Sequence, residues 1–317
     1  KNKKYKVKGF SFKSKNSNNI KIPKNTKIYS NWKNLILDKK IDAVAVATPP
    51  FLHDKIIKFA IKNNKHVFCE KPFTHSFKKA NMICNLLNKK KNISHMVNYE
   101  FASIDAFQLF KKNIIKKILI KEINLNWLIR LNKKNRNSWK ENHNKGGGII
   151  FNYICHSIYY LEFLFGKINS IKTTIFFKKK NQVRCLKGKF YFTNGLSANL
   201  NIQVGALNNK TKPIHQIKIK SSKENYVLES DLKSLSDKFK LVTLKKNSMK
   251  IKKILFKDKN NKDDFRINPT FKNSKKFSNW ILNGKIQNPN FFDAKRIHNI
   301  ISKIIFSFKK KERMFIN

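Results

Sequence analysis

Ile41–Thr74 reads IDAVAVATPPFLHDKIIKFAIKNNKHVFCEKPFT, and this stretch decides the fold. Ile41–Ala47 is a continuous run of small apolar residues, the pattern of a strand buried on both faces of a parallel sheet. Thr48-Pro49-Pro50 closes it. A helix is expected from Leu52 to Asn63, where Ile56, Ile57, Phe59, Ala60 and Ile61 make one apolar face. Lys65–Glu70 reads as a second short strand, stopped by Lys71-Pro72. Ser76–Asn88 reads as a second helix with Phe77, Ala80, Ile83, Leu86 and Leu87 turned inward. Strand, helix, strand, helix is the rhythm of a parallel α/β sheet.

Working outward, Tyr5–Phe12 is expected to be a strand and Ser30–Asp38 a short helix opened by a Ser cap. Beyond about residue 118 the pattern changes to alternating strands separated by turn residues: Ile118–Leu131, Ile168–Phe177, Lys189–Thr193, Ser197–Val204, Ile214–Lys220, Tyr226–Glu229 and Phe239–Leu244. A helix over Phe151–Phe165 interrupts them, and helices over Phe271–Leu282 and Phe292–Phe308 close the chain. The fold class is therefore α/β plus α+β. A Rossmann-type parallel-sheet domain over residues 1–100 is followed, over 101–317, by a largely antiparallel sheet domain with helices, the last helix packing back.

The 317 residues carry 70 Lys+Arg against 18 Asp+Glu, a formal charge of +52. A surplus of that size points first to nucleic acid or an anionic surface. Its make-up argues otherwise: 64 of the bases are Lys and 6 are Arg, while Asn numbers 42 and Ala 10. Lys, Asn, Ile and Phe have A/T-rich codons, so genome composition explains the charge without a ligand, and readers of nucleic acid depend on Arg. No specific nucleic-acid partner is expected. No apolar run approaches the ~18 residues of a membrane span, so no membrane partner is expected either. Cys69, Cys84, Cys155 and Cys185 are widely spaced, as free thiols of a reducing cytoplasm are. No metal-ligand spacing occurs.

In open α/β sheets, ligands sit beyond the carboxyl ends of the strands. Two such ends are readable here, Thr48-Pro49-Pro50-Phe51-Leu52-His53 and Glu70-Lys71-Pro72. The second places the ammonium of Lys71 where a ligand would lie, and partial desolvation would suit it to proton transfer. Each residue also has a plainer reading. Lys71 is one lysine among 64; His156, on an apolar helix, would pass for a structural histidine; His53 could cap or pack; Gly146–Gly148 could be only a turn.

The stretch Ile41–Thr74 resembles the signature of the glucose-fructose oxidoreductase / inositol dehydrogenase / rhizopine catabolism (Gfo/Idh/MocA) family, V-D-A-V-x-I-A-T-P-P-x-x-H followed by G-K-H-V-x-C-E-K-P. Trp139 with Gly146-Gly147-Gly148-Ile149-Ile150-Phe151-Asn152-Tyr153-Ile154-Cys155-His156 is similar to the family's W-R…G-G-G-x-L-x-D-x-G-x-H, and Gly284–Ile316 resembles its closing helix. The resemblance implies an NAD(P)-dependent oxidoreductase moving hydride between the nicotinamide and a carbinol or carbonyl of a sugar, polyol or sugar derivative. It implies that Lys71 hydrogen-bonds the substrate hydroxyl and that Pro72 allows a cis Lys-Pro bond. His156 would be the acid/base group, with Asn152 at the family's Asp position. Thr48, Pro49, Pro50, His53, Glu70 and Lys71 would line the cofactor, and a homodimer or homotetramer would be the assembly.

The sequence also departs from the family. The G-x-G-x-x-G cradle for the pyrophosphate should precede Tyr5–Phe12, yet Gly9 is the only glycine before Gly146. With Lys1 in place of Met, the expectation is a chain that lacks the first βα unit and binds dinucleotide poorly. The turn after Tyr5–Phe12 is Phe12-Lys13-Ser14-Lys15, without the acid that binds the ribose of NAD; Lys13 leans the choice toward NADP. Asn152 cannot hold an imidazolium electrostatically as Asp does. Tyr159 stands where an acid often follows the histidine, and Ile154 replaces a glycine. A non-catalytic cofactor- or sugar-binding sensor or partner subunit is the second reading, and a basic nucleic-acid binder the distant third.

Overall fold

The small apolar run at Ala43–Val46 forms a strand in the computed structural model, which describes residues 5–12, 22–90, 92–130, 138–179, 182–205, 213–222, 224–230, 239–245, 250–257, 264 and 266–316. Two compact units result, one of Lys1–Asn98 with Phe271–Arg296, the other of Tyr99–Thr270 with Ile297–Asn317.

The first unit is parallel throughout. β1 (Gly9–Ser11) pairs with β2 (Lys27–Tyr29), and β3 (Ala43–Val46), β4 (His66–Cys69) and β5 (His95–Val97) form a three-stranded sheet in that order. Tyr5–Phe12 thus contributes only three paired residues. The short helix α1 (Trp32–Leu37) is opened by Asn31 rather than Ser30, the Asn31 side chain accepting from Lys33 N. α2 (Pro50–Lys62) begins earlier than Leu52, because a proline at the first helical position gives up an N–H that would have no partner there. α3 (Phe77–Asn88) starts at a Ser76 cap. Ile57, Ala60 and Ile61 of α2 and Ala80, Ile83 and Cys84 of α3 are fully buried, the stripes expected from their spacing. On the sheet, Met96 of β5 packs with Phe277 and Trp280 of the returning segment, and Phe68 and Tyr5 lie against them.

The second unit holds a nine-stranded sheet. After α4 (Asp105–Leu109) come β6 (Ile120–Ile129), α5 (Cys155–Phe165), β7 (Ile168–Lys179), β8 (Gln182–Phe192), β9 (Ser197–Val204), β10 (Ile214–Ser221), β11 (Asn225–Ser230), β12 (Phe239–Leu244) and β13 (Ile251–Lys257). α6 (Ile267–Asn283), α7 (Phe291–Lys310) and β14 (Met314–Phe315) complete the chain. The strand order is β13-β12-β11-β10-β6-β9-β8-β7-β14, antiparallel except at its centre, where β6 and β9 run parallel. That pair shows how the alternation sets the faces: Ile123, Leu125, Ala198, Leu200 and Ile202 are buried, while Asn199 and Asn201 donate across the pair to Asn124 and Asn126 at 3.0 and 2.9 Å. β8 is longer than Lys189–Thr193 because Arg184, Lys187 and Lys189 disguise a strand that is paired on both sides. Among the described strands β13 is one edge of the sheet and β14 the other, and the Ile251, Ile254 and Leu255 of β13 are exposed between Lys252, Lys253 and Lys257.

Candidate functional site

Candidate residues gather in two clusters, one in each unit. In the first unit, β3, β4 and β5 end side by side, with Val46 opposite Cys69 and Cys69 opposite Val97. The chain leaves them at Ala47-Thr48, Glu70-Lys71 and Asn98. The ladder runs on into these exits, Glu70 N donating to Val46 O and Asn98 N to Cys69 O, each at 2.8 Å. Thr48 is exposed, Pro49, Glu70 and Lys71 are half-buried, and Pro50 is buried. The Lys71-Pro72 peptide bond is cis. Asn98 Nδ2 donates to Glu70 Oε1 at 2.8 Å, and Asn273 Nδ2 donates to Asn98 Oδ1 at 3.0 Å, so the carboxylate is held by two amides in series.

His53 ties this corner together from inside. Its Nε2 lies 2.6 Å from Thr48 O, and its Nδ1 lies 3.1 and 3.2 Å from Pro72 O and Phe73 O and 3.4 Å from Cys69 Sγ. The imidazole is fully buried. Burial pushes its pKa below the ordinary value, against the carbonyl bonds and the Glu70 charge, which favour the proton. Of the two roles open to His53, its contacts are those of a strut joining the Thr48 and Pro72 loops. Burial also pushes the Cys69 thiol well up, so it is an inert packing group. Lys13 lies outside the described residues.

In the second unit the three glycines have separate duties. Gly146 and Gly148 take φ values of 78° and 73°, the left-handed region. A Cβ on Gly147 would stand 2.1 Å from Trp139 O, so only glycine lets the Trp139 segment lie against this turn. The turn feeds the helix start, where Ile150–Ile154 form one π-type turn before α5. Asn152 sits in that wide turn and donates to Lys140 O at 2.8 Å. His156 follows in the first turn of α5, 2% exposed.

The rings of Phe101 and Tyr99 stand steeply inclined to that of His156, with centroids 4.9 and 6.1 Å from its own. Glu100, 4% exposed, brings Oε2 to 3.8 Å from His156 Nδ1. Beyond Phe101, Tyr160 OH lies 2.9 Å from His215 Nε2 and donates to Ser157 Oγ at 3.0 Å, and His215 stacks on Trp127 with 3.8 Å between centroids. Burial pushes His215 down to about 3 and Tyr160 up, so both are neutral near pH 7.

Asn98, Asn273 and Glu100 were not singled out in the sequence. For Glu100 a signal existed: it is one of only two acids, with Asp105, in the apolar stretch MVNYEFASIDAF, in a chain with only 18 acids. Asn98 and Asn273, two among 42 asparagines, carried none. Among the described residues no group of three or more His, Cys, Asp or Glu stands where it could hold a metal, and no helix is long and apolar enough to cross a membrane.

A parallel unit with its polar loops at the carboxyl ends of the strands, joined to a mostly antiparallel sheet, is the arrangement of a dinucleotide-binding oxidoreductase. The comparisons agree. Residues 3–99 match the NAD-binding Rossmann-fold domain of the Gfo/Idh/MocA oxidoreductases, and residues 108–236 match the family's C-terminal alpha/beta domain. The chain belongs to the Gfo/Idh/MocA oxidoreductase family. It is 30% identical over 151 residues to the uncharacterized oxidoreductase sll0816 of Synechocystis, covering 46% of this chain and 40% of that one. It is 34% identical over 145 residues to the 2,7-anhydro-N-acetylneuraminate hydratase of Escherichia coli, covering 44% and 38%. The matched stretches thus span about two-fifths of these relatives' own length. A levoglucosan dehydrogenase in complex with NADH and L-sorbose has the same fold, with a TM-score of 0.78 at 18% identity over 92% of this chain and 84% of that one.

Proposed function

We propose that the protein is an NAD(P)-dependent oxidoreductase of a sugar, polyol or sugar derivative. The observation that carries the reading is the corner at the carboxyl ends of β3 and β4, where Thr48, Glu70 and Lys71 offer a hydroxyl, a carboxylate and an ammonium side by side. That set fits the hydroxyls and carboxamide of a nicotinamide nucleotide, and Thr48, Pro49, Pro50, Glu70 and Lys71 would hold it. When bound, the nicotinamide supplies or accepts the hydride. Lys71 hydrogen-bonds the substrate hydroxyl and stabilises its developing negative charge. His156 takes or returns the hydroxyl proton, and Asn152 hydrogen-bonds the sugar. His53 holds the Thr48 and Pro72 loops in register.

The sugar class is supported by the names of relatives on both sides of the comparison, an anhydro-sugar hydratase and a levoglucosan dehydrogenase. Lys13 inclines the cofactor to NADP, and a Lys13→Asp variant should then lose more affinity for NADPH than for NADH. The assembly is proposed to be a homodimer or homotetramer, to be read by light scattering. The function is tested by following nicotinamide absorbance with a panel of sugars and anhydro-sugars. Turnover that disappears in Lys71→Ala supports it; turnover unchanged in that variant overturns it.

A further inference from the structure

We infer that Glu100 is the positioning residue for His156, a buried carboxylate that fixes the imidazole by its Nδ1 side and favours its protonated form. The inference rests on the reading of His156 as the acid/base group. Carboxylates are almost never buried to the extent of Glu100 without a charged or polar counterpart, because the lost hydration must be offset. At 3.8 Å the Oε2 to Nδ1 separation is that of a charge pair rather than a hydrogen bond. A proton held on Nδ1 toward the carboxylate leaves Nε2 as the nitrogen that exchanges with substrate.

The surroundings strengthen the attraction. The rings of Phe101 and Tyr99 stand steeply inclined to that of His156, and Tyr99 in turn stacks on Tyr159 at 5.1 Å, so the pair sits among aromatic rings rather than water. The titratable groups across Phe101, His215 and Tyr160, are neutral near pH 7. One turn back along the helix, Asn152 contributes an uncharged amide that donates to Lys140 O. Glu100 therefore supplies from the turn Glu100–Ser103 the negative charge that Asn152 does not supply from the helix.

The test is an NMR titration of the full chain carrying labelled histidine and glutamate, in the wild type and in Glu100→Gln and His156→Gln. Loss of one signal in His156→Gln identifies His156 among the 8 histidines. The His156 midpoint should fall by about one pH unit or more in Glu100→Gln. The Glu100 carboxyl midpoint should rise by a matching amount in His156→Gln, since the coupling is reciprocal. A His156 midpoint that stays or rises in Glu100→Gln overturns the inference. If Glu100→Gln does not fold, an unmoved Glu100 midpoint in His156→Gln overturns it alone. The readout needs no turnover. An inactive protein that shows the paired shifts loses the proposed reaction and keeps the pair, whereas an active protein without them loses the pair and keeps the reaction.

Discussion

Two histidines, one in each unit, show how setting decides what an imidazole does. His53 has both ring nitrogens against backbone carbonyls, its pKa is pushed down, and its contacts run between two loops. His156 is as deeply buried, yet it faces a carboxylate and the rings of Phe101 and Tyr99. The first is surrounded by main chain and serves architecture. The second is surrounded by side chains, which evolution can retune one at a time without altering a loop. Burial alone therefore does not distinguish the strut His53 from His156, the proposed acid/base group, whereas the identity of the partner atoms does.

Substitutions and pH can break or sharpen this contrast. The largest expected effect is on turnover in the first unit: Lys71→Ala should lower kcat by about 100-fold or more, with its circular dichroism unchanged, as the proposed contact to the substrate hydroxyl requires.

Acid comes next. His95, pushed down to about 4 by burial in β5, and His215, pushed down to about 3 in the second unit, are both held neutral in the folded chain. Each takes up its proton more readily when unfolded, at about 6.5. The folded state therefore gains nothing from these protons and loses stability as pH falls below about 6.5. Each loss reaches about 3 kcal/mol near pH 4. Below that, only the His215 contribution continues to fall. Urea midpoints measured from pH 7 to pH 4 should decline, and His215→Phe should flatten the part of the decline that belongs to the second unit.

His53→Ala should cost about 2 kcal/mol in urea unfolding by stranding the Thr48, Pro72 and Phe73 carbonyls. His156→Gln leaves the Glu100 carboxylate buried without its counterpart, so it should lower the midpoint too and in addition remove turnover. Turnover retained in His156→Gln would erase the contrast. The smallest effect is expected for Asn98→Ala, about 1 kcal/mol, seen as a lower urea midpoint once the Glu70 carboxylate loses its amide donor.

Much of this was legible in the chain itself. Ile41–Thr74 specified strands, helices and the two polar exits because both-face burial requires an unbroken apolar run, and a helix facing one side requires a stripe. What escaped was set by neighbours distant in sequence. β5 is only three residues, HMV, and its strand character comes from pairing with β4. β13 is broken up by lysines, and the π-type turn before α5 leaves no trace in a helical repeat. Ser30 looked like the cap, but Asn31, one residue nearer the helix, does the capping. Glu100 was visible as a residue and invisible as a partner, because its meaning depends on His156, fifty-six positions away.

The lysine-studded edge at β13 gives the codon-driven charge a use. A strand paired on one side only among the described residues, with Ile251, Ile254 and Leu255 uncovered, is a template onto which another chain can add. Lys252, Lys253 and Lys257 make each such addition bring like charges together. The chain's colloidal behaviour should therefore follow the ammonium groups. Screening them with concentrated salt, or acetylating them, removes the repulsion and leaves a sticky ribbon, so a surplus that began as a by-product of base composition serves as the guard on the sheet's open end.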